Sequence, residues 1–143
     1  MIYTPLTEKA MKIAYNAHLG QTDKAGVPYI FHPYHLAEQM SDEITVCVAL
    51  LHDVVEDTAF TAEFIEKEFP KEIAEAVALL THEKDTDYFE YIRSIKNNPF
   101  ARTVKLADLK HNSDISRLGG KPLTQKDLNR LEKYAEAVEI LCE

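Results

Sequence analysis

Apolar residues recur along this chain at spacings of three and four, the period of a helix, and nowhere alternate cleanly with polar residues over a strand length. Thr4-Pro5 suits a helix start, because proline is tolerated in a first turn. Ala10, Ile13, Ala14 and Ala17 follow at helical spacing, and Gly20 suits the stop. Gln21 to Pro33 carries one glycine and two prolines and predicts a loop. Pro33 opens a second predicted helix through about Met40. Ser41 or Asp42 can cap a third, from about Ile44 to Val55. Its Val46, Val48, Ala49, Leu50, Leu51, Val54 and Val55 point in most directions, which predicts a central, buried helix. Thr61 can cap a fourth, ending near Phe69-Pro70. A fifth runs from about Lys71 to Leu80, with Ile73, Ala76, Val77 and Leu80 on one stripe. Asp87 starts a sixth, and Pro99 opens a seventh through about Asn112. Thr124 caps a last amphipathic helix, about 124–141, carrying Leu128, Leu131, Tyr134, Ala135, Val138 and Leu141. The expected fold class is all-α, a compact helical bundle made as a single domain by residues 1–143.

Composition narrows the function. At 143 residues the chain is long enough to bury a core without staples. A formal charge of -8 argues against a binder of long DNA or RNA, and leaves room for a small nucleotide in a local basic pocket. Cys47 and Cys142 are too few for a disulfide scaffold. Cys47, inside an apolar run, is expected to be a buried free thiol, which fits a reducing cytosol. The N-terminal stretch has no basic start followed by an apolar run, so it does not predict a secretory signal. No apolar run reaches the roughly 18 residues of a membrane span. A cytoplasmic location without membrane association is expected.

The chemistry concentrates in Leu50-Leu51-His52-Asp53-Val54-Val55-Glu56-Asp57. If the third helix is continuous, Asp53 sits about 100°, Glu56 about 40° and Asp57 about 140° from His52. One histidine and three carboxylates then share one side of an otherwise apolar helix, and Ile44 to Ala59 holds no Lys or Arg to balance them. A divalent cation is the economical answer; imidazole with carboxylates suits Mn²⁺, Fe²⁺ or Zn²⁺. A solvated acidic helix end or a structural His-Asp pair is the other reading. His32 lies in the predicted loop at Phe31-His32-Pro33. Asp108 lies deep in the seventh helix, either partly buried beside Leu106 and Ala107 or as an exposed charge paired with Lys105. Asn112, one turn on, shares its face.

His32, then His52-Asp53, then Asp108 follows the H…HD…D order of the HD-domain metal-dependent phosphohydrolases. The wider blocks are more specific: AHLGQ (17–21), KAGVPYIFHP (24–33), LLHDVVEDT (50–58) and KLADLKHN (105–112). Together they resemble the hydrolase domain of the RelA/SpoT alarmone enzymes and their stand-alone small hydrolases, over a motif-bearing core of about 18–112. The resemblance implies an all-helical HD-domain fold and one Mn²⁺, or another divalent metal, held by His32, His52, Asp53 and Asp108. It implies that Glu56 and Asp57 orient and activate the attacking water, and that Lys24 and Asn112 contact the substrate. The implied reaction removes pyrophosphate from the 3′ position of ppGpp or pppGpp.

Two positions depart from that pattern. The family commonly has an Arg-Lys pair before the glycine of the loop, where this chain has Asp23-Lys24. After Asn112 the family often continues with a hydrophobic residue and Arg, where this chain has Ser113-Asp114. Both fall where nucleotide recognition is expected. About thirty residues follow Asn112, too few for a synthetase domain, so hydrolysis alone is expected. Other residues leave alternatives open. His35 supports the site from outside it or lies on the surface; His18 and His111 orient metal ligands or serve core and capping roles. His82 reads as surface, and Tyr88 and Tyr91 as core packing in preference to base stacking. Lys105 is a phosphate contact or a partner of a carboxylate. The functional alternatives are an HD phosphohydrolase of a different nucleotide or phosphoester, a non-catalytic nucleotide-sensing HD module, and a purely structural helical protein.

Overall fold

The computed structural model describes residues Met1–Glu143. Its elements are α1 (Pro5–Ala17), α2 (Phe31–Glu38), α3 (Glu43–Leu51), α4 (Val54–Asp57), α5 (Ala62–Glu68), α6 (Lys71–Leu80), α7 (Tyr88–Ile95), α8 (Pro99–Asn112), a 3₁₀ turn (Ile115–Leu118) and α9 (Gln125–Cys142). Side-chain caps begin most of the helices. Thr4 and Thr124 form capping boxes at α1 and α9, and Asp42, Thr61, Asp87 and Asn98 accept first-turn N–H groups of α3, α5, α7 and α8. The segment 18–30 is a loop pinned by an antiparallel bridge between Thr22 and Pro28. Asp23 Oδ1 accepts from the N–H groups of Ala25 and Val27 across Gly26, whose φ of 82° favours glycine. No helix is long and apolar enough to cross a membrane.

The third predicted helix is central, as its all-round apolar pattern requires. Thr45 through Leu51 of α3 are buried, and α3 packs against α1, α2, α6 and α8. Cys47 is a buried free thiol and Cys142 an exposed one. That helix is not continuous to Val55, however. It stops at Leu51, and Asp53 takes φ −107°, ψ 0°, outside helical geometry, before α4 resumes. The relative angles expected for one straight helix therefore do not apply. Tertiary partners account for the break: His52 Nδ1 donates to the Ala49 carbonyl, and Asp53 turns toward Tyr29 and His52.

Two further expectations change, and one element appears that the sequence does not predict. The second helix starts at Phe31, not Pro33, so His32 lies in a helical first turn and not in a loop. Pro33 fits there because the first turn's N–H groups have no intrahelical partner. The 3₁₀ turn 115–118 lacks a periodic signal and was not legible in the apolar pattern. In α9 the inward stripe is rotated: Leu128 is 43% exposed and Ala135 exposed, while Ala137, Ile140 and Leu141 are buried. In its N-terminal half α9 turns Asp127, Arg130, Leu131 and Tyr134 toward a cavity, which leaves Leu128 outside that lining.

Candidate metal and catalytic site

Four side chains from three elements converge under the end of α3. His32 comes from the first turn of α2, His52 and Asp53 from the break after α3, and Asp108 from α8. His32 Nε2 lies 2.9 Å from Asp108 Oδ1, and His52 Nε2 lies 3.0 Å from Asp53 Oδ2 and 3.5 Å from Asp108 Oδ1. One ligand atom each from His32, His52 and Asp53 fall within 4.8 Å of one another. His32, His52 and Asp108 are 3%, 2% and 4% exposed, so water does not satisfy them.

These atoms fit a cation. His52 Nδ1 is 2.6 Å from the Ala49 carbonyl, which can only accept, so Nδ1 carries a hydrogen. In the neutral ring the Nε2 lone pair then faces two carboxylates, and Nε2 is a buried nitrogen with no hydrogen-bond partner. Lone pairs gathered in a dry site need a positive charge among them. Without a metal a proton supplies it: burial opposes a charge on His52, but Asp53 and Asp108 outweigh burial and hold its pKa well above the usual histidine range. Burial pushes His32 the other way, below its ordinary value. A divalent ion held by histidine and carboxylate matches this donor set.

Lys105 resolves as a carboxylate partner. Its Nζ lies 2.9 Å from Asp108 Oδ2, one turn apart on α8. Asp108 is thus paired with Lys105 but is buried, not an exposed helical charge. Burial alone would raise the Asp108 carboxyl; the Lys105 ammonium and the two histidines hold it well below the usual range. In metal-free protein, Lys105→Ala is expected to cost about 3–5 kcal/mol in denaturant unfolding, because a buried carboxylate loses its main partner. A loss of no more than about 1 kcal/mol would match an exposed pair and contradict this assignment.

Glu56 and Asp57, on the one-turn α4, open onto a cleft of about 230 Å³ that Asp53, Asp108 and Lys105 also line. Glu56 Oε1 accepts the backbone N–H of His82 at 2.6 Å. Burial raises the Glu56 carboxyl above its ordinary value, with the His82 N–H pulling against that. Burial and the nearby Asp53 likewise raise Asp57. Gln21 Nε2 donates to the Asp57 carbonyl and its Oε1 meets His18 Nδ1, so the buried His18 braces α4. His82 is half-buried and lines this cleft, against the surface reading; its ring stacks on Tyr91 at 4.5 Å. Tyr91 is buried in the core and donates to the Leu80 carbonyl, and its ring reaches the cleft wall beside Tyr88, whose hydroxyl is buried and unpartnered.

A second cavity of about 310 Å³ adjoins the first, the two sharing Tyr29, Asn112 and Tyr134. Lys24 and Asn112 both line it. Asn112 also donates to Asp108 Oδ1 at 2.9 Å. Arg117, which the sequence reading missed, lines this cavity from the 3₁₀ turn. It bonds Asn112 Oδ1 at 3.2 Å and faces Asp23 Oδ2 at 3.6 Å. Nothing local in the sequence marks Arg117, because its partners lie on the loop 18–30 and on α8.

Fold and site define a helical domain with a buried histidine–carboxylate cluster able to hold a divalent metal beside a polar cleft. The chain belongs to the HD-domain family, whose profile matches residues 10–110. It is 34% identical over 145 residues to a Haemophilus influenzae guanosine-3′,5′-bis(diphosphate) 3′-pyrophosphohydrolase, covering 91% of this chain and 20% of that protein. It is 47% identical over 73 residues to the Escherichia coli bifunctional (p)ppGpp synthase/hydrolase SpoT, covering 48% of this chain and 10% of SpoT. The chain thus spans a fifth or less of the length of these curated relatives. Among solved structures it matches a metazoan SpoT ortholog described as hydrolysing ppGpp. That match has a TM-score of 0.77 and 26% identity over 99% of this chain and 88% of that one.

Proposed function

We propose that this chain is a metal-dependent phosphohydrolase of a small nucleotide, removing pyrophosphate from the 3′ position of ppGpp or pppGpp. The observation that carries the metal part is the buried His52 Nε2 facing Asp53 and Asp108 with no hydrogen-bond partner. The relatives' named activities support the substrate. His32, His52, Asp53 and Asp108 are the proposed ligands, and Mn²⁺ the proposed ion. When bound, such an ion polarises phosphoryl oxygens and makes a water acidic enough to ionise near neutral pH.

The chain's own residues do the rest. Glu56, held by the His82 N–H on the cleft wall, is the group placed to take the proton of the attacking water. Asp57 beside it orients that water. Tyr29 donates its hydroxyl hydrogen to Asp53 Oδ2 and so holds that carboxylate in place. Lys24 and Asn112, which line the adjoining cavity, contact the nucleotide, and Lys105 neutralises the Asp108 carboxylate. Water attack on the 3′ pyrophosphoryl group of ppGpp releases pyrophosphate and leaves GDP. The domain acts in the cytoplasm, where such nucleotides are found, with residues 1–143 as one hydrolase unit.

Asp23 favours weighing a second substrate. A carboxylate tied to Arg117 stands where the related enzymes carry a guanidinium, so the base contacted there can differ. The test is to incubate Mn²⁺-loaded protein with a nucleotide panel that includes ppGpp and to resolve pyrophosphate from orthophosphate. Pyrophosphate from ppGpp is the expected result. Inert ppGpp beside turnover of another nucleotide moves the substrate and keeps the chemistry; bound metal with no turnover at all points to a sensing module.

A further inference from the structure

Behind His32 stands a second imidazole, that of His111. His32 Nδ1 lies 2.7 Å from His111 Nδ1. The two ring planes are 3° apart with centroids at 5.0 Å. Rings lying face to face could not bring two ring nitrogens so close, so these imidazoles lie edge to edge in a common plane, with the nitrogens aimed at each other. That is the geometry of an in-plane N–H···N bond. At 2.7 Å only one of the facing nitrogens carries a hydrogen.

His111 is itself held in place. His35 stacks on it at 4.1 Å, and Arg117 Nη1 donates to its backbone carbonyl at 3.0 Å. It sits three residues beyond Asp108 on α8, so one helix face presents both a candidate ligand and the ring behind another.

We infer that His111 is a positioning residue that sets the tautomer and orientation of His32 for metal binding. The inference rests on the proposed role of His32 as a ligand. His32 Nε2 is 2.9 Å from Asp108 Oδ1, which can only accept, so in this arrangement Nε2 carries the hydrogen and Nδ1 receives one from His111. A metal on Nε2 requires that lone pair, and the neutral ring must then carry its hydrogen on Nδ1. Nδ1 donates in turn to His111 Nδ1, whose own hydrogen moves to Nε2. The partner of His32 must therefore be able both to donate and to accept. Imidazole does this, a carboxamide does it, and an apolar ring does not. Metal-binding histidines are held in this way by a group behind the ring, and removing such groups costs about 10- to 100-fold in metal affinity.

The test compares wild-type protein, His111→Phe and His111→Gln, with Mn²⁺ dissociation constants measured by calorimetry. His111→Phe keeps a flat ring but offers no acceptor, and its Kd is expected to weaken about 10- to 100-fold. His111→Gln should recover most of that loss through its amide. A Phe variant that binds like wild type overturns the inference, and so does a Gln variant as weak as Phe, which would make the effect one of shape. Wild-type protein that binds no Mn²⁺ overturns the metal reading itself and this inference with it, an outcome distinct from the other two. If His111→Phe fails to fold, wild-type protein loaded with diamagnetic Zn²⁺ decides by long-range ¹⁵N spectra. His111 should then carry its hydrogen on Nε2, and retention on Nδ1 overturns the inference.

Discussion

Asp53→Asn is expected to weaken Mn²⁺ binding by more than about 100-fold, beyond the range set by groups outside the ligand shell, and to bring hydrolysis below detection. The substitution keeps the volume and can still accept from the Tyr29 hydroxyl. What it removes is the negative charge 3.0 Å from His52 Nε2. A cation held among neutral and anionic donors in a dry site depends on that charge far more than an exposed one does. Far-UV circular dichroism should be unchanged, because Asp53 lies in a break between helices and interrupts no helical ladder. Calorimetry that returned a Kd within threefold of wild type would remove Asp53 from the ligand set.

Glu56→Gln separates binding from proton transfer. The metal Kd should stay at its wild-type value, while kcat falls by about 10²- to 10⁴-fold, the span of a lost general base. The wild-type pH profile carries a second signature. Only the ionised carboxylate accepts a proton, so activity is present above the Glu56 pKa and lost as pH falls through it. Burial raises that pKa, so the acid limb should lie above the ordinary glutamate range. In Glu56→Gln the residual activity should lose that limb. A variant with unchanged kcat, or one that keeps the same limb, would assign the proton to another group, with Asp57 next to be tested.

Much of this was legible from residues alone. Helical period, cap residues and proline positions located the start of every α-helix of seven residues or more to within a few residues, because those signals act locally. The apolar girth of Val46 to Leu51 marked the central helix, because a segment apolar on all sides has nowhere else to go. Motif order brought His32, His52, Asp53 and Asp108 into one hypothesis, and the fold places them together. The break at His52-Asp53 was not legible, since its cause is the Ala49 carbonyl, Tyr29 and the other candidate ligands, none of which enters a periodicity argument.

The amino-acid sequence by itself determined the helices, the buried middle of the bundle and which side chains could do chemistry, since each depends on a residue and its near neighbours. Only the tertiary structure decided how those side chains are used. It bent the chain at Asp53, tied Lys105 to Asp108, moved His82 to the wall of the cleft beside Glu56, supplied Arg117 opposite Asp23 and set His111 behind His32. These pairings join residues up to 94 positions apart for Asp23 and Arg117. Their energies come from direction and desolvation inside a packed site, and one-dimensional spacing carries neither.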